Sequence, residues 1–188
     1  MLADEVWRYS PIGPIPTLIA GFVGLTLVVH VTWVRSARTQ VITWALLAAC
    51  ILAILAVTGR GSLGNDGGGF SWRLGDSILS ELHNVNRELG LLNVFGNVAM
   101  FVPVGWLAAL LVRRRGFVVG ALSAAGFSAA IEIWQSLSGS FGDIDDVVLN
   151  SVGGMIGASL AVSIQAASRH RSGRRNEVAA HHAGAGSG

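Results

Sequence analysis

The sequence predicts an all-α protein, a polytopic membrane helix bundle of about five transmembrane helices with one further amphipathic helix at the membrane interface. Hydrophobic residues make up 52% of the 188 residues and charged residues only 13%, and the mean hydropathy is +0.57. A soluble domain carries about 25% charged residues, so this chain has too few to cover a water-exposed surface. Its apolar residues also gather into five runs, each close to the roughly 20 residues that a spanning helix needs.

The five apolar runs form one transmembrane domain over residues 14–167. The predicted spans are residues 15–34, 41–58, 91–112, 117–137 and 147–167. Between the second and third spans, residues 72–90 place apolar side chains at helical spacing, which predicts an amphipathic helix in the outer interface. These side chains are Leu74, Ile78, Leu82, Val85 and Leu89. Residues 1–13 form a short polar N-terminus, and the polar, low-complexity residues 168–188 predict a disordered tail.

The arginine positions predict the orientation, because cytoplasmic loops carry an excess of basic residues. All 13 basic residues are Arg, and most of them lie in three clusters, at residues 35–38, 113–115 and 169–175. With all three clusters in the cytoplasm, the N-terminus is outside and the C-terminus is inside. All-Arg usage with abundant Ala and Gly is typical of GC-rich bacterial genomes, so the predicted location is the bacterial cytoplasmic membrane. Because membrane orientation explains these arginines, no nucleic-acid partner is predicted.

The segment from Glu132 to Gly157 carries the strongest indication of a functional site. It holds four of the eleven acidic residues, although it lies between two long apolar runs. A carboxylate near hydrocarbon is expensive unless it faces protein, water, a metal or a cation, so it indicates a functional site. With the predicted orientation, this segment and the end of the third span that begins at residue 91 face the outside.

Polar side chains on three predicted spans point to one shared pocket. Residues three or four apart share a helix face, which pairs Asn93 with Asn97, Glu132 with Gln135, and Asp146 with Asn150. At about 1.5 Å of rise per residue, one member of each pair lies roughly 6–9 Å below the outer surface. We therefore predict an outward-open polar pocket whose ligand-binding residues are Asn93, Asn97, Glu132, Gln135, Asp143, Asp145, Asp146 and Asn150.

Several of these residues also have a purely structural interpretation. Asp143 and Asp146 are placed to cap the start of the fifth span by accepting hydrogen bonds from free backbone N–H groups. The two asparagines of the third span suit interhelical hydrogen bonds. Gly153 and Gly157, four residues apart, let helices pack closely, either within one chain or between two copies in an oligomer.

Three sequence blocks, in this order, resemble the VanZ-like family of small bacterial membrane proteins. They are NVFGNVAMFVPVGW from Asn93, EIWQ from Glu132 and DIDDVVLNSVGGMIG from Asp143, within a resemblance over roughly residues 90–165. The family's founding member is linked to low-level resistance to the glycopeptide teicoplanin, which implies a cell-envelope role and makes antibiotic resistance the associated phenotype. One departure is Ser140, near which family members often carry an Arg.

Three functions remain open on the sequence. The first is an envelope protein in the lipid bilayer that binds a lipid-linked cell-wall precursor or a glycopeptide-like ligand in the outer pocket. The second is a membrane enzyme acting on a lipid or cell-wall precursor through an acidic site, in which carboxylates hold a divalent cation through oxygen ligands. The third is a small proton-coupled transporter that uses Glu132. No catalytic residue, metal ligand or cofactor is assigned.

Overall fold

The computed structural model of the chain describes residues 37–59, 69–83, 87–112 and 114–185. The N-terminus 1–13 and the first predicted span, 15–34, lie outside these residues. In chain order the elements are α1 (Ala37–Thr58), β1 (Gly69–Ser71), α2 (Asp76–Leu82), α3 (Arg87–Leu111), α4 (Gly116–Leu137), β2 (Phe141–Asp143) and α5 (Ile144–Ala185).

Four helices in the described part of the chain are long and apolar enough to cross a membrane, which confirms the predicted all-α membrane bundle. The spanning segments are Arg38–Thr58, Gly90–Leu111, Gly116–Leu137 and Ile144–His170. They correspond to the second to fifth predicted spans. Many large apolar side chains on these helices are exposed, as expected for surfaces that face lipid rather than water.

The bundle is centred on α3, whose Phe101, Val104 and Leu107 are fully buried. These side chains form one apolar cluster with Leu47 and Ile54 of α1 and with Ala124 and Ile131 of α4. On its other side α3 packs most extensively against α5. A Cβ added at Gly153 or Gly157 would collide with the backbone carbonyl of Val98 or Val102, respectively. The helix-packing interpretation of these glycines is therefore confirmed, and the contact lies within one chain.

Two predicted segments differ from the structure. Residues 168–185, predicted as a disordered tail, continue α5 as helix to Ala185. Extending an existing helix avoids the cost of nucleation, and the Ala and Arg residues of this segment favour helix. In the described part of the range 72–90, where one amphipathic helix was predicted, seven residues form α2 and residues 87–90 belong to the start of α3. Gly75 precedes α2 with a φ of 91°, a left-handed backbone conformation that sets the start of the helix.

A short parallel sheet, which the sequence did not predict, joins two connecting segments. β1 pairs with β2, with Phe70 opposite Gly142 and Ser71 opposite Asp143. A Cβ at Gly142 would contact the carbonyl oxygen of Glu132 and the ring of Phe70, so glycine lets β2 lie against both. The sheet fixes the segment that precedes α2 against the end of α4, at one end of the bundle.

Candidate functional site

A cleft of about 350 Å³ lies at this end of the bundle, where α2, β2 and the first turns of α3 and α5 meet. Its polar lining consists of three hydroxyls, two amides and four carboxylates, from Ser71, Ser77, Ser80, Asn93, Asn97, Glu81, Asp143, Asp145 and Asp146. No basic side chain lines it in the part of the chain that the structure describes. The cleft therefore offers many hydrogen-bond acceptors and a negative potential.

Asp145 holds α2 in place from a distant part of the sequence. Its side chain is only 1% exposed. One carboxylate oxygen accepts from the N–H of Gly75 at 2.6 Å, and the other accepts from Ser77 and Ile78 at 3.0 and 3.2 Å. The first N–H groups of a helix lack intrahelical partners, and Gly75 has no side chain to cap them. Asp145 therefore serves as the N-cap of α2, and both of its oxygens are committed to this role.

Asp143 caps α5, as one of its two sequence interpretations predicts. Its Oδ1 accepts from the N–H of Asp145 at 2.9 Å, two residues along, which is the geometry of an N-cap. Its Oδ2 accepts a hydrogen bond from the Ser77 hydroxyl. The same carboxylate thus begins one helix and ties a second one to it across the cleft.

The two asparagines of α3 each reach a carboxylate on another element. Asn97 donates through Nδ2 to Oδ1 of Asp146 on α5 at 2.6 Å. Asn93, one turn earlier, donates to Oε1 of Glu81 on α2 at 3.2 Å. Glu81 is a cleft residue that sequence reasoning missed. The sequence feature that could have indicated Glu81 is its place between Ile78 and Leu82, on the polar face of the predicted amphipathic helix.

Glu132 lies behind the cleft wall and does not line it. Its side chain is 4% exposed, and its Oε2 accepts from the backbone N–H of Asp143 at 2.8 Å. A carboxylate in this position needs a partner among protein, water, a metal or a cation. Within the described residues its hydrogen-bond donor is a backbone amide, and the neighbouring charge of Asp146 interacts with it electrostatically.

Two further predicted site residues also lie away from the cleft. Asn150 is 5% exposed and donates to the Ser128 hydroxyl at 2.9 Å, inside the interface of α4 with α5. Gln135 donates to the carbonyl oxygen of Thr58 at 3.4 Å and lines a separate, mostly apolar cavity of about 260 Å³ between α1 and α4. The expectation that all eight residues line one pocket is therefore wrong for Gln135, Asn150 and Glu132. Five of the eight reach the cleft.

Among the described residues, no three His, Cys, Asp or Glu side chains are arranged to hold a metal ion together. The capping bonds explain this, because they turn Asp143 and Asp145 toward backbone and hydroxyl donors. Ser140, near which family members often carry an Arg, lies in the turn between α4 and β2, and its N–H donates to the carbonyl oxygen of Gln135 at 2.9 Å.

Comparison with known proteins gives one match. The sequence model of the VanZ/LLP1 family matches residues 25–165, three quarters of the chain, including α1 to α4 and the membrane-spanning part of α5 up to residue 165. Neither the curated proteins nor the solved structures gave a match. The matched range contains every residue of the cleft.

Proposed function

Because the chain belongs to the VanZ/LLP1 family, we propose that it is a membrane protein with a cell-envelope role that binds a ligand in the cleft at the outer face. The ligand is the polar head of a lipid-linked cell-wall precursor or a glycopeptide-like molecule. The observation that carries the proposal is the cleft itself. Segments far apart in the sequence supply its polar lining, and it is large enough, at about 350 Å³, for a sugar or a short peptide.

The lining selects the chemistry of the bound group. Carboxylates accept hydrogen bonds, so they suit sugar hydroxyls, peptide N–H groups and above all an ammonium group. A phosphate or carboxylate in the same place would meet Glu81 and Asp146 without a compensating basic side chain from the described lining. We therefore expect the cleft to take a neutral or cationic sugar or amine, with any phosphate of a lipid-linked ligand outside it.

The proposed orientation puts the cleft outside the cell. The cleft is built from the first turns of α3 and α5 together with α2 and β2. The arginine clusters follow the ends of α3 and of the spanning part of α5, at the opposite end of the bundle. Under the positive-inside rule those clusters lie in the cytoplasm, and the cleft then faces the outside of the cell.

A binding measurement on the purified full chain in lipid nanodiscs tests the proposal. The probes are teicoplanin and a lipid-linked disaccharide-peptide precursor, each with a fluorescent label. We expect saturable binding of one probe, weakened at least tenfold by Glu81→Gln combined with Asn93→Leu, because the first substitution removes a negative charge from the lining and the second removes an amide. The matched control is Asp76→Asn on the exposed start of α2, which lies outside the cleft. Equal affinity in the cleft variant and the control would contradict the proposal.

One observation favours the enzyme alternative. The Ser77 hydroxyl donates to Asp143 inside the cleft, which is the contact that a serine nucleophile needs with a base. Against it, Asp143 is also the cap of α5, and no histidine lines the described cleft. The same experiment separates the two functions. An enzyme converts the bound precursor to a product, and Ser77→Ala abolishes that conversion, whereas a binding protein releases the precursor unchanged.

A further inference from the structure

A polar layer lies between α4 and α5 and extends from the buried interface of these helices to the cleft wall, where Asp146 lies. Ser128 and Glu132 lie one turn apart on α4, and Asp146 and Asn150 lie one turn apart on α5, so each pair shares a helix face. The hydrogen bond from Asn150 Nδ2 to Ser128 Oγ, at 2.9 Å, shows that the two faces meet. Glu132 and Asp146 each lie one turn from this contact towards β2, where Glu132 accepts a hydrogen bond from the N–H of Asp143.

Three side chains in this layer each have one oxygen atom without a hydrogen-bond partner among the described residues. Glu132 uses Oε2 for the N–H of Asp143, and Asp146 uses Oδ1 for Asn97. Asn150 uses its amide nitrogen for Ser128, while its Oδ1 is fully buried without a hydrogen-bond partner. Glu132 Oε1 and Asp146 Oδ2 likewise have no partner among the described residues. Three oxygens from two helices therefore remain unpaired in one layer.

The charge of this layer is also unbalanced. No salt bridge joins either carboxylate to a basic side chain in the part of the chain that the structure describes; the bridge found there, Arg73 with Asp76, is on the surface. Carboxylates inside a membrane bundle are rare and are kept where they face protein, water or a cation. Carboxylate and amide oxygens are the ligands that small hard cations prefer.

We propose that Glu132, Asp146 and Asn150 bind a small inorganic cation between α4 and α5. Each residue supplies one oxygen, and water fills the remaining coordination positions. The cation offsets the negative charge of the two carboxylates, is coordinated by the buried amide oxygen of Asn150 and links α4 to α5. A divalent ion neutralises both carboxylates and Na⁺ neutralises one. This site adjoins the cleft through Asp146 and does not depend on which ligand the cleft binds.

Thermal unfolding of the full chain in detergent tests the site. The probes are NaCl, MgCl₂ and CaCl₂, compared with choline chloride at equal ionic strength. We expect one of the three cations to raise the unfolding temperature saturably. Glu132→Gln keeps the acceptor for Asp143 but removes a charged ligand, so it should weaken the apparent cation affinity at least tenfold, and Asp146→Asn should act alike. The control Asp76→Asn, an exposed carboxylate, should leave the affinity unchanged.

Direct binding is the second measurement, because a variant that fails to fold gives no affinity. Equilibrium dialysis of the unmodified protein against radioactive sodium or calcium should give one bound ion per chain. Three results would overturn the proposal. They are no stabilisation beyond that in choline chloride, cation affinity that survives both substitutions, and no ion retained in dialysis.

Discussion

The α5 helix makes two contacts of opposite character. Along its glycines it touches α3 backbone to backbone, with no room for one more carbon atom at Gly153 or Gly157. At its first turns it contacts its neighbours through the carboxylates of Asp145 and Asp146, which accept hydrogen bonds from α2 and α3. The first contact holds the bundle together by shape, and the second builds a cleft by directed polar bonds. The difference predicts how each region responds to substitution.

The largest effect is expected in the glycine contact. Gly157→Val puts three carbon atoms against the carbonyl of Val102, and because the obstacle is backbone it cannot rotate away. We expect the free energy of unfolding to fall by about 3 kcal/mol or more, as for severe overpacking, measured by thermal unfolding in detergent. The control is Gly126→Ala on α4, where an added Cβ meets nothing within 4 Å. Equal stability of both variants would mean that the helices do not pack this closely.

A smaller and more local effect is expected at the polar end. Asp145→Ala removes all three side-chain bonds to the start of α2, so we expect a loss of about 2 kcal/mol, at the upper end for an N-cap. The loss should be concentrated in α2. Amide hydrogen exchange should therefore accelerate over Asp76–Leu82 and stay unchanged in the middle of α3. If amide exchange accelerates throughout the bundle, Asp145 stabilises the whole bundle and not α2 alone, which would contradict this prediction.

The smallest effect is expected for a single interhelical hydrogen bond. Asn97→Leu removes the bond to Asp146 but preserves volume, so we expect a stability loss of about 0.6 kcal/mol, the average for such bonds in a membrane protein. Ser151→Ala is a suitable comparison, since its hydroxyl bonds only to Val147 within α5. A loss well above that average would show that this bond also positions Asp146 against another charge.

Local sequence patterns were sufficient for the spans and for one cap. Apolar runs mark the helices α1, α3, α4 and the membrane-spanning part of α5, because every residue in a spanning helix satisfies its backbone bonds within its own segment. Asp143 at the start of α5 was also predictable, since an N-cap acts on residues two or three positions along. The glycine spacing in α5 indicated close packing but left the partner helix open.

The polar end needed contacts that the sequence does not display. Asp145 lies 68 residues along the chain from Ser77, one of the α2 residues from whose backbone N–H it accepts a hydrogen bond. The strands β1 and β2 pair across a comparable separation. No helical or strand periodicity links residues so distant. The position of each polar residue along its helix was enough to predict that these residues lie at one end of the bundle. That position does not specify which way the helix is rotated about its own axis. Gln135 and Asn150 therefore lie away from the cleft, on helix faces that meet other neighbours.

The sequence by itself determined that this chain is a membrane helix bundle of the VanZ type, with four of its eleven acidic residues gathered in one segment near the ends of two spans. That much follows from hydropathy, spacing and the three shared sequence blocks. Only the tertiary structure decided which carboxylates are committed to helix caps and which remain unpaired. The reason is that a carboxylate has two oxygens and bonds to whatever donors lie nearby, and the donors at this end come from segments that folding alone brings together.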